Sequence, residues 1–295
     1  MPSTPAALTP AALGPILRHL RAEPSRTWSI IITLYGDAIV SRGGSVWLGT
    51  VLEVFGALDI SEGVVRTAMS RLCADGWLER RRVGRNSFYR LAAKGQAEFA
   101  EAARRIYQPP QPGFAGHFDM LLLPAGPERE AARPALEAAG CGSPSPGIWL
   151  LSPAAPMPIP NGILRLHASG EPDQLRALAA RSWPLETIAS AYHRFLASFT
   201  PLRATLEAGE TLSDIEALAA RLLLIHEYRR IVLRDPLLPD AVLPTDWPGA
   251  AARALCSGLY RQLLPGSERW LDDHALDENG AALPAGPEMA DRFMA

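Results

Sequence analysis

The sequence predicts a multidomain α+β protein, and three observations carry that expectation. Apolar residues recur at helical spacing through the first third and give way to two strand-like runs around a Gly turn. The middle alternates short strands with helices, and from Leu185 onward the pattern is helical. A chain of 295 residues with 48% hydrophobic content has material for two or three packed cores.

Residues 1–26 read as a Pro/Ala-rich arm around a short helix, without the basic segment and apolar core of an export signal. Trp28, Ile31, Ile32, Tyr35 and Ile39 set a first helix over Thr27–Ile39. After a break at Gly43 and Gly44, Leu48, Val51, Leu52 and Phe55 set a second over Trp47–Leu58. A third helix starts at the N-cap Ser61, carries Glu62 where the helix dipole favours an anion, and stops at Gly76. Its apolar stripe is Val65, Ala68, Met69 and Leu72. Gly63, Arg66, Thr67 and Ser70 therefore face away from the core, with Arg71 beside them. Trp77–Val83 and Phe88–Leu91 then read as strands joined by the turn-forming Gly84-Arg85-Asn86-Ser87.

Helices followed at once by a hairpin make a winged helix-turn-helix, and the charges suit DNA. Formal net charge is −2, but residues 1–112 hold 14 basic and 9 acidic side chains, leaving 15 and 22 for residues 113–295. Ser61–Lys94 alone has eight basic and three acidic residues. Taken singly, Arg80-Arg81-Arg82 would be read as a solvated strand edge. Next to a capped helix with a small and basic outer face, the run is expected to meet phosphate. The expected DNA contacts are Ser61, Arg66, Thr67, Ser70 and Arg71 on the helix, Arg81 and Arg82 on phosphates, and Arg85 and Asn86 toward the minor groove. This first domain spans 27–112 and ends, after a helix over Lys94–Tyr107, in the stiff linker Pro109-Pro110-Gln111-Pro112-Gly113.

Within 113–184, His117–Leu123 reads as a strand, Pro127–Ala139 as a helix ended by Gly140, Gly147–Leu151 and Gly162–His167 as strands, and Glu171–Arg181 as a helix. That β-α-β-β-α order predicts a small ferredoxin-like sandwich. Asp119 stands nearly alone there, so neither a metal site nor nuclease chemistry is expected. Within 185–295, helices are expected over Leu185–Phe199, Leu212–Leu233 and Pro248–Leu264, punctuated by Pro201, by the Pro236–Pro248 loop and by Pro265-Gly266. The second of these is almost apolar yet carries His226, Arg230 and Arg234 at i, i+4 and i+8, with Arg229 adjacent. Such cations need anionic partners. Either Glu227, Asp235 or Glu210 completes an internal network, or the stripe lines an anion pocket with His193 and Arg194 from the preceding helix. His226 alone would also serve as a hydrogen-bonded core histidine.

Cys73, Cys141 and Cys256 are dispersed, with no disulfide framework or zinc spacing, so a reduced cytoplasm is expected. The uncharged stretch Ala138–Leu164 contains six prolines and four glycines and is not expected to cross a membrane. No catalytic motif such as G-x-S-x-G, a P-loop or H-E-x-x-H occurs, and no enzyme or bound cofactor is expected.

Leu34-Tyr35-Gly36-Asp37, Arg42-Gly43-Gly44 leading into Trp47-Leu48-Gly49, Val65-Arg66-Thr67-Ala68, Gly76-Trp77-Leu78 and Gly84-Arg85-Asn86-Ser87-Phe88-Tyr89 resemble the PaaX family of transcriptional repressors of phenylacetic acid degradation. Leu224-Ile225-His226-Glu227-Tyr228-Arg229-Arg230, Asp235-Pro236-Leu237-Leu238-Pro239 and the Trp247 segment resemble that family's C-terminal signature. The arm before Arg26 and the Pro-rich Cys141–Pro160 segment fall outside the likeness. The resemblance implies a homodimeric repressor on an inverted-repeat operator, with a middle domain similar to the Cas2 fold. It also implies release by an aryl-CoA thioester such as phenylacetyl-CoA, whose phosphates would meet His193, Arg194, His226, Arg229, Arg230 and Arg234. Two other readings are a regulator of a different acyl-CoA, and an enzyme or sensor whose winged helix makes protein contacts.

Overall fold

The winding of the chain through its first helix sets the interior that follows. In a computed structural model describing residues 14, 16, 27–108, 113–153, 163–284 and 292–293, α1 (Thr27–Leu34) passes into a π-helical turn, Tyr35–Ile39, and a 3-10 turn, Val40–Arg42. The sequence predicted one regular helix to Ile39. Gly36 explains the departure: a Cβ there would lie 1.6 Å from the ring of Phe99, so only glycine lets that side chain press against the turn. The widened turn carries Asp37 inward, where it is 2% exposed.

Contacts divide the chain into two compact units, Met1–Gln108 with Arg194–Arg229 and Ala251–Ala295, and Pro109–His193 with Arg230–Ala250. This grouping cuts across the linear segmentation at 112/113 and 184/185. In the first unit, β1 (Ser45–Trp47) precedes α2 (Leu48–Gly56), α3 (Glu62–Ala74), β2 (Leu78–Val83), β3 (Asn86–Leu91) and α4 (Ala93–Tyr107). The sheet is antiparallel in the order β1-β3-β2. β1 was not anticipated, because three residues after Gly43 and Gly44 are too few to show alternation. α2 buries Thr50, Val51, Val54 and Phe55, and α3 buries Val65, Met69 and Leu72, three of the four residues of the expected stripe. Gly76 takes φ +73°, the left-handed conformation that ends the helix as expected.

In the second unit, β4 (His117–Leu122), α5 (Pro127–Ala138), β5 (Gly142–Ser145), β6 (Ile148–Leu150), β7 (Leu164–Ser169) and α6 (Pro172–Ser182) follow one another. Their antiparallel sheet has the order β5-β6-β4-β7. The observed β-α-β-β-β-α succession has one strand more than expected, since Pro144 and Pro146 disguise β5 as a loop. Phe118 packs with Leu150, Leu175, Ala179, Trp183 and Leu238, while Leu121 packs with Leu136, Trp149 and Leu151. Alternation along β4 thus supplies two apolar clusters.

Three helices complete the chain: α7 (Leu185–Glu207), α8 (Asp214–Val232) and α9 (Gly249–His274). Pro201 and Pro265 were expected to end the outer two, yet both lie inside them. Each costs a helical hydrogen bond, but Phe199 and Leu202, and Leu263 with Gly266 and Ser267, are buried beside them. Packing overrides the local penalty. Among the described residues no helix is long and apolar enough to cross a membrane. The N-terminal arm except residues 14 and 16, the linker residues 109–112 and residues 154–160 of the Pro-rich segment lie outside the described residues.

Candidate nucleic-acid interface

α3 turns its apolar stripe to α1, α2 and β2 and leaves the opposite side bare. Ser61, Arg66, Thr67, Ser70 and Arg71 are all exposed, and Arg66, Thr67, Ser70 and Arg71 line an open groove with Ala74 and Asp75. Ser61 is the N-cap residue in extended geometry, but its side chain makes no cap bond; its carbonyl accepts the Val64 and Val65 amides at 3.1 and 3.2 Å. Arg66 donates to Glu62 one turn earlier at 3.1 Å, with both side chains more than half exposed. Such a pair contributes only about 0.3–0.5 kcal/mol and yields readily to a phosphate or a base edge. Thr67 donates to the Gly63 carbonyl at 2.8 Å, fixing its rotamer.

The hairpin is tighter than expected. Val83 pairs with Asn86, so the turn is the two residues Gly84-Arg85, and Asn86 and Ser87 belong to β3. Gly84 has φ +58° at the first turn position, where the hairpin geometry needs glycine. Arg81, Arg82, Arg85 and Asn86 are exposed, as expected for a wing.

Strand alternation then splits the arginine run. Arg80 and Arg82 stand on the side of Leu78, opposite Tyr89 and Ser87, while Arg81 stands on the other side with Glu79. Arg80 donates to the Ser87 hydroxyl at 2.9 Å, and Arg82 to the Gly84 carbonyl at 3.3 Å. Arg81 pairs with Glu278, which also accepts from Ser45 at 3.0 Å. Burial raises the pKa values of Tyr89 and Cys73, and the charge of Arg80 opposes both shifts. Arg66 acts on Tyr89 in the same sense, and Tyr89 lies directly opposite Arg80 in the hairpin. Arg80, exposed on the face of buried Leu78, was not among the expected contacts, and counting in twos from Leu78 places it there.

Behind this surface lies a buried ionic network that the sequence did not reveal. Asp37 pairs with Arg221 at 2.7 Å and Arg292 at 3.0 Å and accepts from Tyr107 at 2.5 Å and Tyr260 at 3.1 Å. Arg221 reaches on to Glu268 at 2.5 Å, and Glu268 holds Arg42, which also meets Asp272 at 2.8 Å. Burial would lower the pKa of Arg221, but Asp37, Tyr260 and Glu268 together raise it. Burial, aided by Asp37, pushes Tyr107 well up, and burial pushes Tyr260 to about 12, so both phenols stay protonated donors.

The expected effector residues fall in different settings. His226 is 0% exposed, with Nδ1 3.0 Å from the Thr33 hydroxyl, so it is a packed, hydrogen-bonded histidine of the first unit. Arg229, in the same unit, donates to the Ser29 hydroxyl at 2.6 Å and its carbonyl at 3.0 Å. Arg194 is exposed in the first unit, and His193, exposed, Arg230, half-buried, and Arg234, exposed, belong to the second. There the Tyr192 hydroxyl donates to Asp235 at 2.7 Å, joining the chain neighbours of His193 and Arg234.

Comparison with known proteins places the chain. The PaaX-like protein family matches residues 26–95, and the PaaX-like protein C-terminal domain matches residues 183–273. A protein described as "Transcriptional repressor PaaX", from Escherichia coli strain K12, is 33% identical over 302 residues, which cover 95% of this chain and 94% of that protein. Among solved structures, "Uncharacterized protein Rv0674 from Mycobacterium tuberculosis" is similar with a TM-score of 0.51 at 21% identity, over 75% of this chain and 89% of that one, a likeness of fold. With both domains matched in order and a relative aligned over nearly its whole length, the chain belongs to the PaaX family.

Proposed function

We propose that this chain is a cytoplasmic transcriptional repressor that binds operator DNA as a homodimer and is released by an aryl-CoA thioester such as phenylacetyl-CoA. The observation that carries the DNA reading is the exposure of all nine expected contact residues on one helix face and one hairpin, with Arg80 added from the strand register. The name of the Escherichia coli relative supports the same role. In this reading α2, α3 and the β2-β3 hairpin act as a winged helix-turn-helix within 27–112. Arg66, Thr67, Ser70 and Arg71 meet bases and backbone in the major groove, Ser61 meets phosphate at the helix N-terminus, and Arg85 and Asn86 reach the flanking minor groove. Residues 113–184 act as a ferredoxin-like, Cas2-like middle domain and 185–295 as a helical effector domain. A twofold dimer would read half-sites one or two turns apart, each about 34 Å.

For the effector, His226 and Arg229 are in contact with Thr33 and Ser29, and in this reading His193, Arg230 and Arg234 of the second unit meet the anionic phosphates. Induction requires the thioester to prefer the DNA-incompetent arrangement, and operator must then weaken thioester binding by the same factor. Fluorescence anisotropy on duplex from upstream of the chain's own gene tests the DNA reading. Affinity should fall steeply with salt, with a log–log slope of about 0.9 per phosphate contacted. Arg66→Ala should lose about 1–3 kcal/mol of operator binding, or roughly ten- to hundredfold, if Arg66 forks onto a guanine. Unchanged affinity would move the reading face elsewhere. Calorimetry with phenylacetyl-CoA, with and without operator, tests induction; binding indifferent to DNA would end that part of the proposal.

A further inference from the structure

We propose that His117, Asp119 and His167 form a binding site for one divalent transition-metal ion of the zinc, nickel and cobalt class. The sheet of the second unit builds this cluster from residues 50 positions apart in sequence. β4 and β7 are antiparallel, with Asp119 directly opposite His167 and His117 opposite Ser169. Residues of period two share a face, so His117, Asp119 and His167 project from the same side. One ligand atom from each residue lies within 4.8 Å of the other two, and the His167 Nε2 is 3.6 Å from an Asp119 oxygen. The imidazoles are stacked, with centroids 4.2 Å apart and planes at 23°. A bound ion with bonds of about 2.0–2.2 Å needs only side-chain rotations of these three to gather its donors.

The donor set decides the class of ion. Two imidazoles and one carboxylate suit borderline metals, whereas magnesium and calcium prefer oxygen donors alone. Three protein ligands leave at least one position for water, as open zinc sites do. A cation already tests the place: Arg165 spans both oxygens of Asp119 at 3.0 and 2.6 Å. A metal ion would displace the guanidinium from at least one oxygen. β7 is an edge strand joined in its sheet to β4 alone, and five of its six residues are exposed. An ion shared by the two strands would clamp that edge.

The test is a zinc titration of the chelator-treated full chain carrying Cys73→Ser, which removes the half-exposed thiol, read by competition with a chromogenic indicator. Cobalt absorption reports the coordination. One equivalent should bind at micromolar or lower concentration and raise the melting temperature. His117→Ala and His167→Ala should each weaken binding at least about tenfold, the scale on which a lost metal contact is felt. Arg165→Gln should tighten binding, a gain that misfolding does not produce. No saturable binding at roughly 100 μM zinc, well above the affinities of dedicated sites, would overturn the proposal. So would binding retained in both histidine variants, or an Arg165→Gln affinity that is equal or weaker.

Discussion

Two arginine populations of the first unit face opposite fates. Arg66, Arg71, Arg80, Arg82 and Arg85 stand in water on α3 and the hairpin. Arg42 and Arg221 are 0% exposed and are held by Asp37, Glu268 and Asp272. The same guanidinium is thus used once as an outward probe for anions and once as an internal tie. Exposed pairs such as Arg66–Glu62 cost little to open, because water already screens them. The buried pairs are locked, since separating either partner would strand a charge in a medium that solvates it poorly. A net charge near zero therefore says nothing about which arginines are available; burial and strand register do.

The largest effect should come from the interior. Arg221→Ala would leave Asp37 and Glu268 short of a buried partner, and the expected loss of stability is about 3–5 kcal/mol. Urea denaturation followed by circular dichroism checks it. Replacing Arg66 should leave the denaturation midpoint almost unmoved while lowering operator affinity, which is the reverse pattern. If Arg221→Ala proved no more destabilising than Arg66→Ala, the distinction between tie and probe would fail.

A smaller effect separates the arginines of the hairpin. Arg80 and Arg82 share the Leu78 face of the hairpin, so, on the proposed DNA reading, Arg80→Ala and Arg82→Ala should each reduce the salt slope of operator binding by about 1, uniformly across DNA sequences. Anisotropy titrations at four salt concentrations give those slopes. An Arg80 variant with an unchanged slope would return Arg80 to the solvated strand edge.

What was legible in the sequence was local. The α3 cap position, most of its stripe and its Gly76 stop follow from residues within one turn of each other, and the hairpin follows from Gly84 between two strand runs. What was not legible depends on distance along the chain. Asp37 meets Arg221 across 184 residues, and Arg42 meets Glu268 across 226. No periodicity links such positions, so Asp37 and Arg42 passed as features of a motif rather than as ion-pair partners. The setting of the His226 stripe was illegible for a related reason. Spacing put His226, Arg230 and Arg234 on one line of a helix, but it could not show that Thr33, on α1, meets His226 across 193 residues. The juxtaposition of His117, Asp119 and His167 was not legible because the strand pairing that brings His167 opposite Asp119 is long-range.

The smallest predicted effect lies where the two populations meet. Arg81 is exposed, yet its guanidinium is engaged by Glu278, whose own side chain is only 17% exposed and also accepts the Ser45 hydroxyl. Glu278 is positioned by a turn in which Asp277 accepts the Asn279 and Ala281 amides at 2.8 and 2.9 Å; the Ala281 amide is the first cause of the lowered Asp277 pKa. An arginine so engaged cannot also clamp a phosphate without giving up that carboxylate. Glu278→Gln should therefore release Arg81 and remove one negative charge beside the hairpin. Operator affinity should rise a few-fold, within about 1 kcal/mol as for other exposed pairs, and the salt slope should rise by up to about 1. Arg81→Ala alone should change affinity little, and adding it to Glu278→Gln should abolish the gain, which a double-mutant cycle measures. If the gain survives without Arg81, it comes from the deleted charge alone, and Arg81 leaves the set of DNA contacts.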